Sequence, residues 1–359
     1  MTALTEQPPV QIDEAKVEAF AGQVLGDLGA ALSVLLARVG DRLGLWTALA
    51  ERGPCTPEEL AEATATHPRM VREWLSAHAA GGYVTYDPTT TRFTLPVEHA
   101  LVLARDDSPA SMCGGLQITT ANYLAYDRLA EAMRSGKGLA WGDHHPDVFE
   151  GTERFFKPAY TAALASEWIP ALTGIDARLR DGGSVADVGC GHGASTLLIA
   201  EAFPAARVAG YDLHAPSVRT ARERARATGS TATFEVASAQ TLPDGPHDLI
   251  CLLDCLHDMD DPVGAARRAG EVLAPDGSLL LVEPAAGDRL EDNLHPLGRL
   301  FYAASTVACT PNSLDGDGPG LGAQAGPERL TAVLHDAGFT SVRQVAATPT
   351  NHIYEARLR

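Results

Sequence analysis

The sequence predicts an α/β fold: a doubly wound parallel sheet closed by an antiparallel hairpin and preceded by an α-helical domain ending in a β-wing. Three observations predict it. From about residue 181, short apolar runs alternate with helical patterns. "DVGCGHGAS", residues 187–195, places three glycines at alternate positions at a strand-to-helix junction. Residues 14 to 100 read as helix, helix, helix and two short extended runs. At 359 residues the chain exceeds one ordinary core, so more than one domain is expected. The divisions read from the pattern are a disordered tail, 1–14; a winged-helix dimerisation domain, 15–110; a helical linker and cap, 111–175; and the sheet domain, 176–359.

Residues 14 to 50 carry apolar side chains at three- and four-residue spacing and read as helix. "TPEELAEAT" opens a second helix with Thr56 as N-cap, Pro57 in the first turn, and Glu58 and Glu59 following. "HPRMVREWLSAHAAGGYV" is a third, closed by Gly81 and Gly82, and "YVTYD" and "TRFTLP" form the wing. Such a unit is a winged helix-turn-helix. Residues 1–110 hold eight basic and fifteen acidic residues, a net of −7, and the helix that would enter a DNA groove offers only Arg69 and Arg72 beside Glu73. A groove reader needs a basic surround for the phosphates, so we expect dimerisation or capping of a pocket, not nucleic acid.

Residues 111–170 read as aromatic-dotted helices around the polar loop "GKGLAWGDHHPDVFEGT". Asp143, His144, His145 and Asp147 crowd there beside a proline and read as a solvated loop near a pocket mouth rather than a metal cluster. Strand and helix then alternate: "SVADVG", "GASTLLIAEAFP", "ARVAGYDL", "APSVRTARERARATG", "TATFEVAS", "HDLICLLDCLHD", "DPVGAARRAGEVLAPDG" and "SLLLVEP". The last helix leads into two strands joined by a polar turn, which gives the closing hairpin.

Composition narrows the function. Hydrophobic residues make up 45% of the chain, no stretch approaches the roughly 20 uninterrupted apolar residues of a membrane span, and the N-terminus lacks the pattern of a signal peptide. A cytoplasmic protein with no membrane partner is expected. A net charge of −18 speaks against nucleic acid. The six cysteines follow no framework, and Cys251 and Cys255 have no second pair to complete a zinc site.

Gly189, Gly191 and Gly193 let a ligand approach the backbone, and the following helix offers free N–H groups. Nineteen residues after Gly193, the next strand ends at Asp212, placed to accept from ribose hydroxyls. "GCGHGA" also fits the dinucleotide fingerprint, so an NAD-dependent oxidoreductase is a rival. Asp187 opposes a pyrophosphate but suits a ligand carrying an ammonium group, and no second domain follows to carry nicotinamide chemistry.

Residues 181–359 resemble the class I S-adenosylmethionine-dependent methyltransferases, whose Rossmann-like sheet ends in such a hairpin. From about residue 25 the chain is similar to actinobacterial members with an N-terminal winged-helix domain, related to small-molecule O-methyltransferases. "DVGCGHGASTLLIAEAFP", "LHDMDDPVGAARR", "LAPDGSLLLVEP" and "DNLHPLGRLFYAASTVACTPNSL…LGAQAG" carry the resemblance. It implies S-adenosyl-L-methionine as cofactor. Asp187, Gly189 and Gly191 would border its methionine part, with Gly193 in the turn below. Asp212 would hold the ribose, Leu213 would pack on the adenine, Ser238 and Ala239 would face the adenine edge, and Asp254 would lie near the sulfonium and amino-acid tail.

The resemblance also implies a general base, His257 in "CLHDMDD", where relatives place a histidine, an aspartate and an aromatic residue; Met259 replaces the aromatic here. A histidine near its reference pKa of roughly 6.5 accepts a hydroxyl proton at cellular pH. Asp258 would orient it or cap the next helix, the latter being our reading. Glu283 closes the fifth strand within reach of acceptor or histidine. Arg299, Tyr302 and Ser305, three residues apart, would face the acceptor from one helix. No clean set of oxygen ligands emerges for a metal. The expected function is methyl transfer to a small-molecule hydroxyl of secondary metabolism by a homodimer. A carbon, nitrogen or sulfur acceptor and a cofactor-sensing winged-helix regulator remain the alternatives.

Overall fold

The computed structural model describes residues 12–359. They fall into two compact units, dividing after Arg105. Residues 1–11 of the expected tail lie outside the described residues; Asp13 caps the first helix, its carboxylate accepting from the Lys16 N–H.

The first unit contains α1 (Glu14–Arg42), α2 (Leu45–Arg52), α3 (Pro57–Thr64), α4 (Pro68–Ala80), the wing strands β1 (Thr85–Asp87) and β2 (Arg92–Thr94), and α5 (Val97–Leu103). The single helix expected over 14–50 is two, because Gly44 turns left-handed at φ 71° between them. Thr56 and Glu59 form a reciprocal capping box on α3, and Arg92 of β2 pairs with Glu59. The core is aromatic. The Trp46 and Trp74 indoles donate to the Ala37 and Leu36 carbonyls, and Gly40 is the only size tolerated beneath the Trp74 ring. His78 is fully buried among Trp46, Trp74 and Tyr83, with neither ring nitrogen hydrogen-bonded.

Helix α1 corrects one expectation. An 18-residue window reaches a mean hydropathy of 1.6, enough by length and composition to cross a membrane. Val17, Phe20, Val24, Leu28, Leu32, Leu35 and Val39 recur every three or four residues along it, and all are exposed.

The second unit begins with α6 (Cys113–Asn122), α7 (Tyr126–Ser135), α8 (Pro146–Ala163) and α9 (Ile175–Arg180). Then come β3 (Ser184–Val188), α10 (Ala194–Ala202), β4 (Arg207–Asp212), α11 (Ala215–Thr228), β5 (Thr233–Val236), β6 (His247–Leu253), α12 (Pro262–Val272) and β7 (Leu273–Pro284). The chain closes with α13 (Pro296–Ala304), α14 (Thr310–Asp315), α15 (Gly326–Asp336), β8 (Ser341–Ala347) and β9 (Asn351–Arg357).

The sheet order is β5-β4-β3-β6-β7-β9-β8. Strands β3 to β7 are parallel, and β9 and β8 add the antiparallel hairpin that the sequence predicts. Residues alternate between two cores. Val185, Leu249, Cys251, Leu280 and Val282 face one side with Ile199 and Phe203; Ala186, Ile250, Leu252, Leu279 and Leu281 face the other with Leu334 and Phe339. The chain reverses its direction across the sheet between β3 and β6, and at such a switch point the strand ends open a crevice.

Burial lowers the His78 pKa to about 4, opposed only by the neighbouring Leu36 carbonyl. The unfolded chain, with a histidine near 6.5, then binds the extra proton first as pH falls. The first unit should therefore lose stability between pH 6.5 and about 4, by at most about 3 kcal/mol. His78→Phe should flatten that part of a melting-temperature profile; an unchanged slope would show that another group is responsible.

Candidate active site

The second unit holds a cavity of about 430 Å³ at the carboxyl ends of β3, β4 and β6. Its floor is the turn after β3. Gly189, Gly191 and Gly193 have φ of 74°, 53° and 83°, a region in which L side chains are strained. A Cβ on Gly189 would meet the Cys255 sulfur at 2.9 Å, one on Gly193 would strike the Phe234 ring at 2.7 Å, and Gly191 faces open space. Gly189 and Gly191 line the cavity, and Gly193 does not.

Asp212 ends β4 and lines the cavity. Its carboxylate accepts the Gly191 N–H at 2.8 Å and the His214 N–H at 2.7 Å, fastening the turn to the next strand. Burial raises its pKa and these two bonds oppose the rise. Leu213, Ser238, Ala239 and Asp254 line the same cavity, and the structure brings all of them together with the glycines.

Asp187 does not join them. Only 1% exposed, it turns under the loop, where one oxygen accepts from the Ser195 and Thr196 hydroxyls at 2.6 Å each. It anchors the start of α10, which corrects the expectation of a carboxylate offered to a ligand's ammonium group. The physical reason is the local helix: residues 195 and 196 place two hydroxyls directly beneath the strand end.

His257 and Glu283 meet at the ends of β6 and β7. The histidine Nδ1 lies 2.5 Å from Glu283 Oε2, while Oε1 of the same carboxylate accepts from the Leu256 and His257 backbone N–H groups. Burial disfavours a charged ring, but Glu283 and the Cys309 sulfur together raise the His257 pKa well above its ordinary value, which corrects the expectation of a base near 6.5. His257 is also 4% exposed and does not line the cavity, although Asp254, Cys255, Asp258 and Met259 around it do. Its Nε2 faces Cys309 Sγ at 3.3 Å. Asp258 is no helix cap: Asp261 caps α12 by accepting from Gly264, and Asp258 lines the cavity with its carboxyl pushed up by burial to about 7.

Tyr302 and Ser305 lie elsewhere, in a second cavity of about 300 Å³ with Asp288, Arg289 and Arg329. Arg299 lines neither cavity. Their helix, Pro296–Ala304, turns its Tyr302 and Ser305 side to that second cavity and not to the first. Ser305 instead accepts the Ala323 N–H.

Several lining residues come from segments distant in the chain, Trp141 and Phe149 among them from the loop that the sequence places near a pocket mouth. Trp141, Phe149, Phe156 and Tyr160 form an aromatic wall. Asn312 fixes the Trp141 backbone by accepting its N–H at 2.8 Å, and donates to the Asp258 carbonyl. The loop expected to be solvated is pinned in part: His144 is 6% exposed with neither nitrogen hydrogen-bonded, and burial lowers its pKa. Asp143 pairs with Arg128, and His145 caps α8.

A cradle that only glycine can form, an acidic strand end beside it and an order of strands closed by an antiparallel hairpin fit an adenosyl cofactor laid across the strand ends. Fold and site define a class I S-adenosylmethionine-dependent methyltransferase with an N-terminal winged-helix domain. Two family models agree: an Rv2258c-like winged HTH domain matches residues 30–105, and a methyltransferase domain matches residues 185–277. Among individual relatives, the mitomycin biosynthesis 6-O-methyltransferase of Streptomyces lavendulae is 27% identical over 259 residues, 67% of this chain and 71% of that protein. The solved structure of the mitomycin 7-O-methyltransferase MmcR superposes with a TM-score of 0.72 at 21% identity, covering 96% of this chain and all of the other. The O-methyltransferase NcsB1 from neocarzinostatin biosynthesis, solved with S-adenosyl-L-homocysteine and 1,4-dihydroxy-2-naphthoic acid, gives 0.64 at 21% identity over 94% of this chain and 98% of its own.

Asp212 sets a direct test of the cofactor site. S-adenosylmethionine should raise the melting temperature, and NAD should not. Asp212→Ala should weaken that response by about 1–3 kcal/mol, the scale of a hydrogen bond to a charged group. Stabilisation by NAD alone would contradict this assignment of the cavity.

Proposed function

We propose that the protein methylates a hydroxyl of a small secondary metabolite, with His257 as the general base and Glu283 as its partner. The observation that carries the reading is the buried His257–Glu283 pair at 2.5 Å, flanked in sequence by residues that line the cofactor cavity. The activities named for the mitomycin relatives and NcsB1 support a hydroxyl acceptor. The wall of Trp141, Phe149 and Phe156 supports a flat aromatic one.

When bound, S-adenosylmethionine supplies a methyl group activated by its sulfonium. The protein's own work is to align the acceptor, exclude water and take the hydroxyl proton. With Nδ1–H donated to Glu283, His257 presents Nε2 as the acceptor for that proton, and Glu283 stabilises the imidazolium that forms. Cys309 must leave Nε2 for the acceptor oxygen to take its place. In this reading Gly189, Gly191, Asp212, Leu213, Ser238 and Ala239 hold the cofactor, and Tyr302 and Ser305 belong to the other cavity.

Incubation with S-adenosylmethionine and a panel of hydroxylated aromatics, followed by mass spectrometry, should yield a product heavier by one methylene. His257→Ala should lower its turnover by about two to four orders of magnitude, with cofactor affinity little changed. Because the His257 pKa is raised and the base acts when neutral, wild-type turnover should climb with pH through a midpoint above 6.5. The variant should lack that limb. Near-wild-type turnover by the variant on an identified hydroxyl would remove His257 from the mechanism, and N- or S-methylated products would redefine the acceptor.

The same reading includes a homodimer. The exposed apolar stripe of α1 supports a seam with a second copy, since its three- and four-residue spacing is that of a helix facing a helix. Light scattering should give twice the chain mass at micromolar concentration. A monomer, or co-sedimentation with lipid vesicles, would count against it.

A further inference from the structure

We propose that Cys309, His257 and Glu283 form a covalent modification site. The Cys309 thiol adds to soft carbon electrophiles of the α,β-unsaturated carbonyl class, quinones among them, and the adduct closes off the base. The consequence for turnover rests on the reading of His257 as the base; the reactivity of the thiol does not.

Three side chains from three segments stand in line. Glu283 at the end of β7 holds His257 Nδ1 at 2.5 Å, and His257 Nε2 faces Cys309 Sγ at 3.3 Å. A nucleophile, a base within hydrogen-bond reach and a third group that orients the base are what activate a cysteine. Glu283 and His257 are 1% and 4% exposed, so water competes little for either. Burial works against charge on the ring, yet Glu283 and Cys309 hold its pKa well above the ordinary histidine value. Such a ring is a strong enough base to take the thiol proton, and the anion behind it stabilises the imidazolium. Cys309 also closes the five-residue π-helical turn Ser305–Cys309, and turns of this kind are frequent at functional sites.

The other cysteines lack this arrangement. Cys55, Cys113, Cys190 and Cys251 are buried, whereas Cys255 and Cys309 are partly exposed. Burial and the carboxylates of Asp258 and Glu283 push the Cys255 thiol well up, which keeps it protonated and poorly nucleophilic. Room for an electrophile lies beside the Cys309 turn. Ser305, at the start of that turn, and Thr310, the next residue, line the second cavity of about 300 Å³. Gly322 lines it too, and its N–H donates to the His257 carbonyl at 3.0 Å. The second cavity therefore adjoins both the segment of the nucleophile and that of the base.

The addition balances without an oxidant or a leaving group. The S–H proton passes to Nε2, and the sulfur lone pair forms the S–C bond at the β-carbon. The displaced π pair moves to the carbonyl oxygen as an enolate, which takes the proton back from the imidazolium. His257 ends neutral, but a carbon substituent now stands on the sulfur that faces Nε2, where the acceptor oxygen would have to come. The cofactor cavity is untouched, since Cys309 does not line it.

N-ethylmaleimide, a compact electrophile of this class, is the probe. Wild type treated with one equivalent, digested and mapped by mass spectrometry should carry the label on the Cys309 peptide first. Its rate should exceed that of Cys255 by about 10-fold, the margin that a proton-accepting partner gives a thiol. Glu283→Gln keeps the shape of the side chain and removes its charge, and His257→Gln removes the base. Each should slow Cys309 labelling by about 10-fold without slowing Cys255, whereas a thiol that is merely exposed would react at the wild-type rate in both. Melting temperatures check that the variants fold, and the wild-type order of labelling decides by itself where one does not. Methyl transfer should fall in proportion to Cys309 occupancy, while S-adenosylmethionine affinity by calorimetry stays within about threefold. Cys309→Ala should carry no fast label and keep its own activity under the reagent. Labelling first at Cys255, or an undiminished Cys309 rate in both variants, would overturn the site. Full turnover by fully labelled enzyme would overturn its control of the base. Untreated enzyme that transfers no methyl to any hydroxyl would overturn the acceptor reading alone, and the labelling result would stand.

Discussion

Two carboxylates, the half-buried Asp212 and the buried Asp187, hold the turn between β3 and α10, and the cavity exists because they do. Asp212 accepts the Gly191 and His214 N–H groups from the rim, and Asp187 accepts the Ser195 and Thr196 hydroxyls from beneath. Between them the backbone passes three left-handed glycines, and the contacts of Gly189 with Cys255 and of Gly193 with Phe234 leave no volume for a Cβ. Burial pushes both carboxyls up while the donors oppose the shift, so the hydrogen bonds that shape the turn also favour its charged form. A side chain larger than hydrogen would fill the cradle or break its hold on β4 and β6.

Charge at the other end of the cavity follows a different logic. Glu283 spends its two oxygens on the His257 ring and on two backbone amides, so the imidazole is fixed in tautomer and direction before any acceptor arrives. Against the cost of burial, the Glu283 charge and its hydrogen bond raise the proton affinity of the ring together with Cys309, whose sulfur covers the other nitrogen. The π-helical turn that ends at Cys309 puts the sulfur there. His257 thus stands beside the cavity, between lining residues Cys255 and Asp258, with its Nε2 against the Cys309 sulfur.

Much of this was legible in the sequence. Alternation of strand and helix, the closing hairpin, the capping box at Thr56 and Glu59, and the glycine turn with Asp212 are local patterns, each encoded within about 30 residues. Local physics decides them: φ preferences, period 2 or 3.6, and a cap's reach of three residues. The carboxylates at strand ends were equally visible as positions. Their partners were not.

What tertiary structure alone decided is where each side chain points and what meets it. Asp187 looked like a ligand contact and proved an anchor, because Ser195 and Thr196 fold back beneath it. Arg299, Tyr302 and Ser305 keep a helical spacing, but Tyr302 and Ser305 line the second cavity with Asp288 and Arg329, and Arg299 lines neither. Tyr160, Asn312, Asn351 and Cys309 carry no motif at all; they reach the site across separations of 52 to 97 residues. Sequence determined the backbone frame because short-range sterics and periodicity act between neighbours. Only the folded chain could settle the site, because its hydrogen bonds join residues that nothing but packing brings together.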